Sequence, residues 1–484
     1  MTPTQPAKQY SFFGNTLYIF LIRFFPTLAS LLILVLYARR LDESQYGIYQ
    51  NFWVQYYILS TIACAGIQVF LITYAPGVLV QLLRRTRPKV LVALLAWMLL
   101  CGIVFGALQY HIIPFFVPVL FLLFNSLITI AESVLSVFRS FRLVATVNVL
   151  YALSFVWLHE AALRKGFDTG EAYSTLFLSI SILCLARLLV YGIAVWRKIK
   201  MTPADAARTP DAAQVRYLWL HMGLYDMLQV IFRWVDKFFI SLLLAAAASA
   251  VYFNGSVDIP FLPLILGAAG SAGLMQLAVH HSDDARGQHA QQLALLSGRI
   301  LSCIVFPLFF FLLFFRYELF AVIFKHRYEG AVPVFLVSIL SVPLRAYSFT
   351  TVLQHYHKGS IINTGAVLDL VLACTLMYPM YLLAGLPGVA FAFTITSYIQ
   401  AGYYLYHTAR LLQVRWWALL PLKNWLVKLI VFFIVFIGLH YLAVEHVNAQ
   451  IALILGCIGL VVAIPAAIIS ELNSSKRNYG KTGT

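Results

Sequence analysis

Long apolar runs separated by short polar breaks recur from one end of the chain to the other. They predict helical spans at 12–38, 46–73, 89–110, 112–138, 143–163, 173–196, 217–244, 248–279, 297–315, 331–353, 361–384, 387–408, 425–443 and 448–470. Each run is long enough as a helix to cross a hydrocarbon layer of ~30 Å. No alternating pattern of about ten residues points to a barrel. The pattern therefore predicts an all-α polytopic membrane protein with about 14 transmembrane helices. Met1 to Gln9 is short and polar, and the run behind it exceeds the ~7–15 residue core of a cleavable signal, so the first helix is expected to stay.

Composition agrees with this class. The chain is 62% hydrophobic and 11% charged, with a mean hydropathy of +0.85, whereas soluble domains carry about a quarter charged residues. The net charge of +16 could suggest nucleic acid, but the positions of the basic residues explain it otherwise. Arg84, Arg85, Arg87 and Lys89 share one loop, Arg197, Lys198, Lys200, Arg208 and Arg216 another, and Arg410, Arg415, Lys423 and Lys428 a third, all on the side of the termini. The opposite loops hold only Arg39, Arg40, Arg164, Lys165, Arg316, Lys325 and Arg327. By the positive-inside bias both termini are cytoplasmic, and no nucleic-acid partner is expected. Cys64, Cys101, Cys184, Cys303, Cys374 and Cys457 fall at scattered spacings within apolar runs, which predicts core residues rather than a disulfide frame or a metal site.

The polar segment 201–216 is the longest cytoplasmic linker. It divides a first lobe, 1–200 with helices 1–6, from a second, 217–410 with helices 7–12; residues 411–484 add helices 13 and 14 and a tail. A shift of 203 positions lays "YGIYQN" at Tyr46 onto "SAVYFN" at Ser249, so that Tyr49 meets Tyr252 and Asn51 meets Asn254. Farther on, "SVLSVFRSF" matches "SILSVPLRAY", and the basic residue and asparagine of "FRLVATVN" match those of "YHKGSIIN". An even number of spans in each half gives a parallel repeat about an axis along the membrane normal, an arrangement suited to alternating access.

The segment "ARRLDESQYGIYQN" resembles the "arxLgpeeyGiy" element of polysaccharide flippases, and "RWVDKFFISLLLAAAASAVYFNGS" resembles its second-half counterpart. "AGLPGVAFAFTIT", Ala384 to Thr396, is similar to the "GxxGaAxA" joint between late spans. Together these resemble the polysaccharide transporter branch, the Wzx-type flippases, of the multidrug, oligosaccharidyl-lipid and polysaccharide exporter superfamily. The alanine run Ala245 to Ala248 departs from the acidic turn usual there. The resemblance implies two pseudo-symmetric six-helix lobes around a central cationic cavity. It also implies transfer of undecaprenyl-diphosphate-linked oligosaccharide (an O-antigen, capsule or exopolysaccharide unit) across the bacterial inner membrane.

Charged side chains deep in a bilayer cost about 2.5–3.5 kcal/mol each on insertion scales and are expected to face a partner or an aqueous cavity. Arg23 lies in the middle of helix 1, and the repeat shift puts Asp226 at the equivalent place in helix 7, with Arg233, Asp236 and Lys237 beyond it. Arg23, Arg233 and Lys237 could hold an anionic headgroup, because a guanidinium fork matches phosphate oxygens. They could equally form internal bridges, Arg23 with Asp226 and Arg233 or Lys237 with Asp236. Asn51, Gln55, Gln68, Asn125, Gln229 and Asn254 are candidates for sugar hydroxyls or for helix-to-helix hydrogen bonds. Glu132 with Arg139 and Arg142 reads as a substrate-admission site or an interfacial cluster. Arg187, Arg345 and Asp369 are cavity or bridging residues, Arg345 and Asp369 being coupling candidates. His221 could carry a proton or sit at the interface.

No ATP-binding loop, metal-spaced His and Cys set or catalytic loop is present in the sequence, so a non-enzyme is expected. No cofactor is implied beyond coupling to an H+ or Na+ gradient or to the membrane potential. The expected partners are the lipid-linked glycan, membrane lipids, and glycan polymerase or assembly proteins. Two other functions stay open. A cation-coupled multidrug exporter of the same fold would want a mainly acidic pocket. A membrane glycan polymerase or ligase would want a large outer loop.

Overall fold

The structure, a computed structural model, describes residues 12–166, 170–205, 211–256, 288–325, 327–356 and 358–481. The described residues form helices and no strand. They divide into two compact units, Met1–Ala247 and Ala248–Thr484. The helix after the 201–216 linker is thus grouped with the first unit.

The first unit runs through α1 (Phe12–Arg40), α2 (Glu43–Cys64), α3 (Ile67–Ile72), α4 (Pro76–Arg85), α5 (Pro88–Gln109), α6 (Phe116–Val137), α7 (Phe141–Lys165), α8 (Gly170–Met201) and α9 (Ala212–Leu243). The element "ARRLDESQYG" has a structural explanation here. Asp42 caps α2: its Oδ1 accepts from the Gln45 amide at 2.7 Å, while the Asp42 amide donates to Gln45 Oε1 at 3.2 Å. Tyr46 is buried behind the cap, and a Cβ on Gly47 would lie 1.8 Å from the Ala246 carbonyl oxygen. The short side chains of the alanine run suit that close approach.

Span 46–73 is interrupted. Ala65 and Gly66 both take left-handed backbone (φ 47° and 67°), ending α2 and starting α3. After it comes α4, in the stretch between 73 and 89 where the apolar pattern predicts no span. Its Val78, Leu79 and Val80 are buried and its last turn carries Arg84 and Arg85. Leu79 packs with Phe70, Leu71 and Val134, and Val195 of α8 and Leu218 of α9 join them.

The second unit takes in most of α10 (Ala246–Gly255), which straddles the division, and then α11 (Gln288–Phe314), α12 (Arg316–Phe324), α13 (Val332–Ile339), α14 (Thr351–His355), α15 (Gly359–Leu411), α16 (Leu422–His446) and α17 (Ala449–Lys481). Much of the expected span 248–279 lies outside the described residues. Span 331–353 is not one helix, because Pro343 lacks an amide proton and the chain passes through a 3-10 turn at Val342–Ala346. The long helix α15 is really two arms. Gly385 has φ 63° and ψ −143°, open to glycine alone, and Pro387 begins the second arm. The "AGLPGVAFAFTIT" stretch is that joint.

Nine described helical stretches are long and apolar enough to cross a membrane, with 329–346 counted across its 3-10 turns and α15 counted once at 53 residues. Their outward faces are apolar, with Val92, Trp157, Leu383 and Val461 exposed. An apolar surface of this extent fits a lipid environment. Four cysteines are buried and all six are unbonded, but Cys374 and Cys457 are exposed, which corrects the expectation that all six are core residues. On an apolar outward face a thiol replaces a small hydrophobe without needing a core.

Candidate functional site

The charged residues of α9 sit against the break between α2 and α3. Where Gly66 turns left-handed, α9 comes so near that a Cβ on Gly66 would be 2.0 Å from the Gly223 Cα. Trp219 Nε1 donates to the freed Ala65 carbonyl at 2.9 Å. One turn on, Gln68 Nε2 donates to Asp226 Oδ2 at 2.7 Å. Farther along, the rings of Tyr57 and Trp234 stack with centroids 4.6 Å apart. Asp226 is half-buried, and the charge of Arg233, itself exposed, acts on its carboxylate. Asp236 and Lys237 are both buried, with Nζ 3.6 Å from Oδ2, and the ammonium lies 5.6 Å from the Trp234 ring centroid. The expected Lys237–Asp236 bridge is therefore present, at a separation too long for a strong hydrogen bond.

Arg23 lies within α1, but its side chain is outside the described residues, as is that of His221. The expected bridge from Arg23 to Asp226 therefore also lies outside the described residues. Of the amides, Asn51 is half-buried on α2 and its Oδ1 has no hydrogen-bond partner among the described residues. Asn254 is buried on α10. Gln55 and Gln109 join α2 to α5 at 2.8 Å, and Asn125 donates to the Phe121 carbonyl and to Cys184 Sγ. For these two the helix-to-helix role is the one seen.

Glu132 pairs not with Arg139 or Arg142 but with Arg187 of α8. Arg139 follows the end of α6 in left-handed backbone (φ 54°) and is exposed, and Arg142 is exposed in the first turn of α7. The same Arg187 nitrogen donates to Asn148 Oδ1 at 2.6 Å, and the guanidinium carbon lies 4.7 Å from the Tyr151 ring centroid. Tyr191 Oη reaches both Glu132 Oε1 at 3.0 Å and Asn148 Oδ1 at 2.9 Å.

In the second unit Asp369, 1% exposed, lies on the first arm of α15. Neither of its carboxylate oxygens has a hydrogen-bond partner among the described residues, and the nearby Thr396 hydroxyl of the second arm donates to the Phe393 carbonyl at 3.1 Å. Arg345 is exposed in the 3-10 turn.

Three polar clusters went unread in the sequence. Lys428 Nζ meets Glu471 Oε2 at 2.9 Å, the Arg299 carbonyl at 2.6 Å and Ser302 Oγ at 3.1 Å, joining α11, α16 and α17. His440 meets Glu318 at 3.2 Å. Buried His159 meets the Tyr49 hydroxyl at 3.0 Å. Lone polar residues inside apolar runs at His159 and His440, and Glu471 at the end of one, were the available signal. No set of three metal-ligating side chains occurs among the described residues.

No known family profile matches the sequence, and no curated protein is similar to it at a significant level. The solved structure of the lipid II flippase MurJ in an inward closed conformation is similar in fold, with a TM-score of 0.62 at 14% sequence identity, covering 93% of this chain and 98% of that one. The chain is thus an all-α polytopic membrane protein of MurJ-like fold.

Proposed function

We propose that the chain is a flippase that moves a polyprenyl-diphosphate-linked oligosaccharide across the cytoplasmic membrane by alternating access, without enzymatic chemistry. The observation that carries this reading is the fold likeness to the lipid II flippase over 93% of the chain. The intramembrane charges support it. In this reading α1 and α9 carry the headgroup site: Arg23, Arg233 and Lys237 attract the diphosphate, Asp226 and Asp236 balance them, and Asn51 and Asn254 meet sugar hydroxyls. About 14 spans with cytoplasmic termini, in two parallel repeats, complete the proposal. Asp369, buried beside Thr396 and Arg345, is the residue suited to a coupling cation.

The test is transport in proteoliposomes loaded with a fluorescent polyprenyl-diphosphate oligosaccharide whose leaflet is read by quenching from outside. Protein-dependent redistribution that is lost in the Arg23→Gln protein is the expected result. Redistribution no faster than in empty vesicles, with a cationic dye exported instead, would move the chain to the multidrug reading.

A further inference from the structure

Pro26 lies inside α1, so the carbonyl of Ile22, four residues earlier, has no amide proton to bond within the helix. In an apolar surround such an orphan acceptor is costly unless another group reaches it. Asn148 of α7 does, its Nδ2 standing 3.4 Å from the Ile22 oxygen. The orientation of this amide follows from its other end. Its Oδ1 accepts from Arg187, a guanidinium that can only donate, and lies 2.9 Å from the Tyr191 hydroxyl. A flipped amide would set its NH2 against the guanidinium, so the NH2 must face Ile22. The Arg187 guanidinium is fixed in turn by Glu132 and the face of Tyr151.

We propose that Asn148 is a positioning residue: its amide replaces the proton that Pro26 lacks and ties the α1 turn bearing Arg23 to the half-buried Glu132–Arg187 pair. The next residue after Ile22 is Arg23, so whatever holds this carbonyl sets the main chain from which that arginine projects. The role given to Arg23 rests on the flippase reading above; the link from Asn148 to α1 does not. Ser30, whose Oγ donates to the Pro26 carbonyl at 2.9 Å, secures the next turn. The asparagine of "FRLVATVN", conspicuous in the sequence only as part of a repeat, acquires a task here.

The experiment is a double-mutant cycle on the full chain in lipid nanodiscs. Pro26→Ala restores the missing amide proton, so the Asn148 donor becomes redundant. Amide hydrogen exchange in the α1 peptide spanning Ile22 to Ser30 should rise several-fold in Asn148→Leu, and should not rise when the same change is made in the Pro26→Ala protein. Equal increases in both backgrounds, or none in either, would overturn the link. Should Asn148→Leu not purify, Asn148→Asp keeps the acceptor for Arg187 and Tyr191 and loses the donor. Binding of polyprenyl diphosphate tests positioning: Asn148→Leu should weaken it in the parent, with no further loss in Arg23→Gln. An undiminished effect in Arg23→Gln would refute the positioning role. Full binding by Arg23→Gln alone would refute the headgroup reading, while the exchange cycle would still decide the tie to α1.

Discussion

Replacing Lys428 by Met should detach the last two helices from α11 at their shared polar contact. The ammonium is 12% exposed and contacts Glu471, itself 6% exposed, at 2.9 Å. It also donates to the Arg299 carbonyl and to Ser302 Oγ. After the change Glu471 keeps the Asn424 amide at 2.9 Å as a hydrogen-bond donor. Removing one partner of a buried pair costs about 3–5 kcal/mol, since the other charge is left uncompensated. Glu471 ends the apolar part of α17, so water can relieve part of that cost, and we expect about 3 kcal/mol, the low end of that range. The companion change Lys428→Met with Glu471→Leu removes both charges and should recover to within about 1 kcal/mol of the parent. Denaturant or thermal unfolding of the purified protein in one fixed detergent measures both. Additive losses in the double variant would show that the two side chains stabilise separate contacts, and the clamp would be wrong.

Other outcomes follow from the same structure. With Cys374 and Cys457 replaced, because both are exposed, an impermeant thiol reagent on intact cells should label a cysteine at position 329 and spare one at 87; the reverse would invert the topology. Arg23→Gln should abolish glycan export at normal abundance and Arg23→Lys should retain part of it, since lysine lacks the bidentate fork. Asp226→Asn should be milder in that export assay, and rescue by exchanging Arg23 and Asp226 would make the pair structural. Asp369→Asn should remove the dependence of transport on an imposed H+ or Na+ gradient; unchanged dependence would take Asp369 out of coupling.

What the sequence made legible was whatever depends on residues close together. Apolar runs of 20 or more residues mark helices wherever they occur, because length and hydropathy are local properties. The joint at Gly385 was readable for the same reason, with glycine and proline side by side between two runs. The break at Ala65 and Gly66 was not. Its cause lies some 160 residues away, in the approach of Gly223 and in the Trp219 side chain that takes up the Ala65 carbonyl. An apolar run carries no mark of such a neighbour.

The site divides along the same line. A charge in an apolar run announces that it needs a partner but not which one, and the nearest opposite charge in sequence is a poor guide on a helix. Glu132 had Arg139 and Arg142 seven and ten residues ahead, yet one follows the helix end and the other begins α7, and both are exposed. Arg187, on α8, meets it instead because α6 and α8 pack side by side. Asp226 likewise finds Gln68, a candidate for sugar hydroxyls or for a helix-to-helix hydrogen bond, of which the second is the one seen. The reading of intramembrane charges as functional is sound only once such partners are subtracted. Lys237 is balanced by Asp236, and Arg187 is committed to Glu132 and Asn148. Arg233 is exposed on the same helix as Asp226, where it can act on that carboxylate and still reach a ligand. An anionic headgroup arriving along α9 would therefore meet Arg233 first, and Lys237 would become available only if Asp236 were drawn away. Arg233→Gln should on this ground weaken polyprenyl-diphosphate binding more than Lys237→Gln does at neutral pH, and the opposite order would show that the buried ammonium, not the exposed guanidinium, carries the attraction.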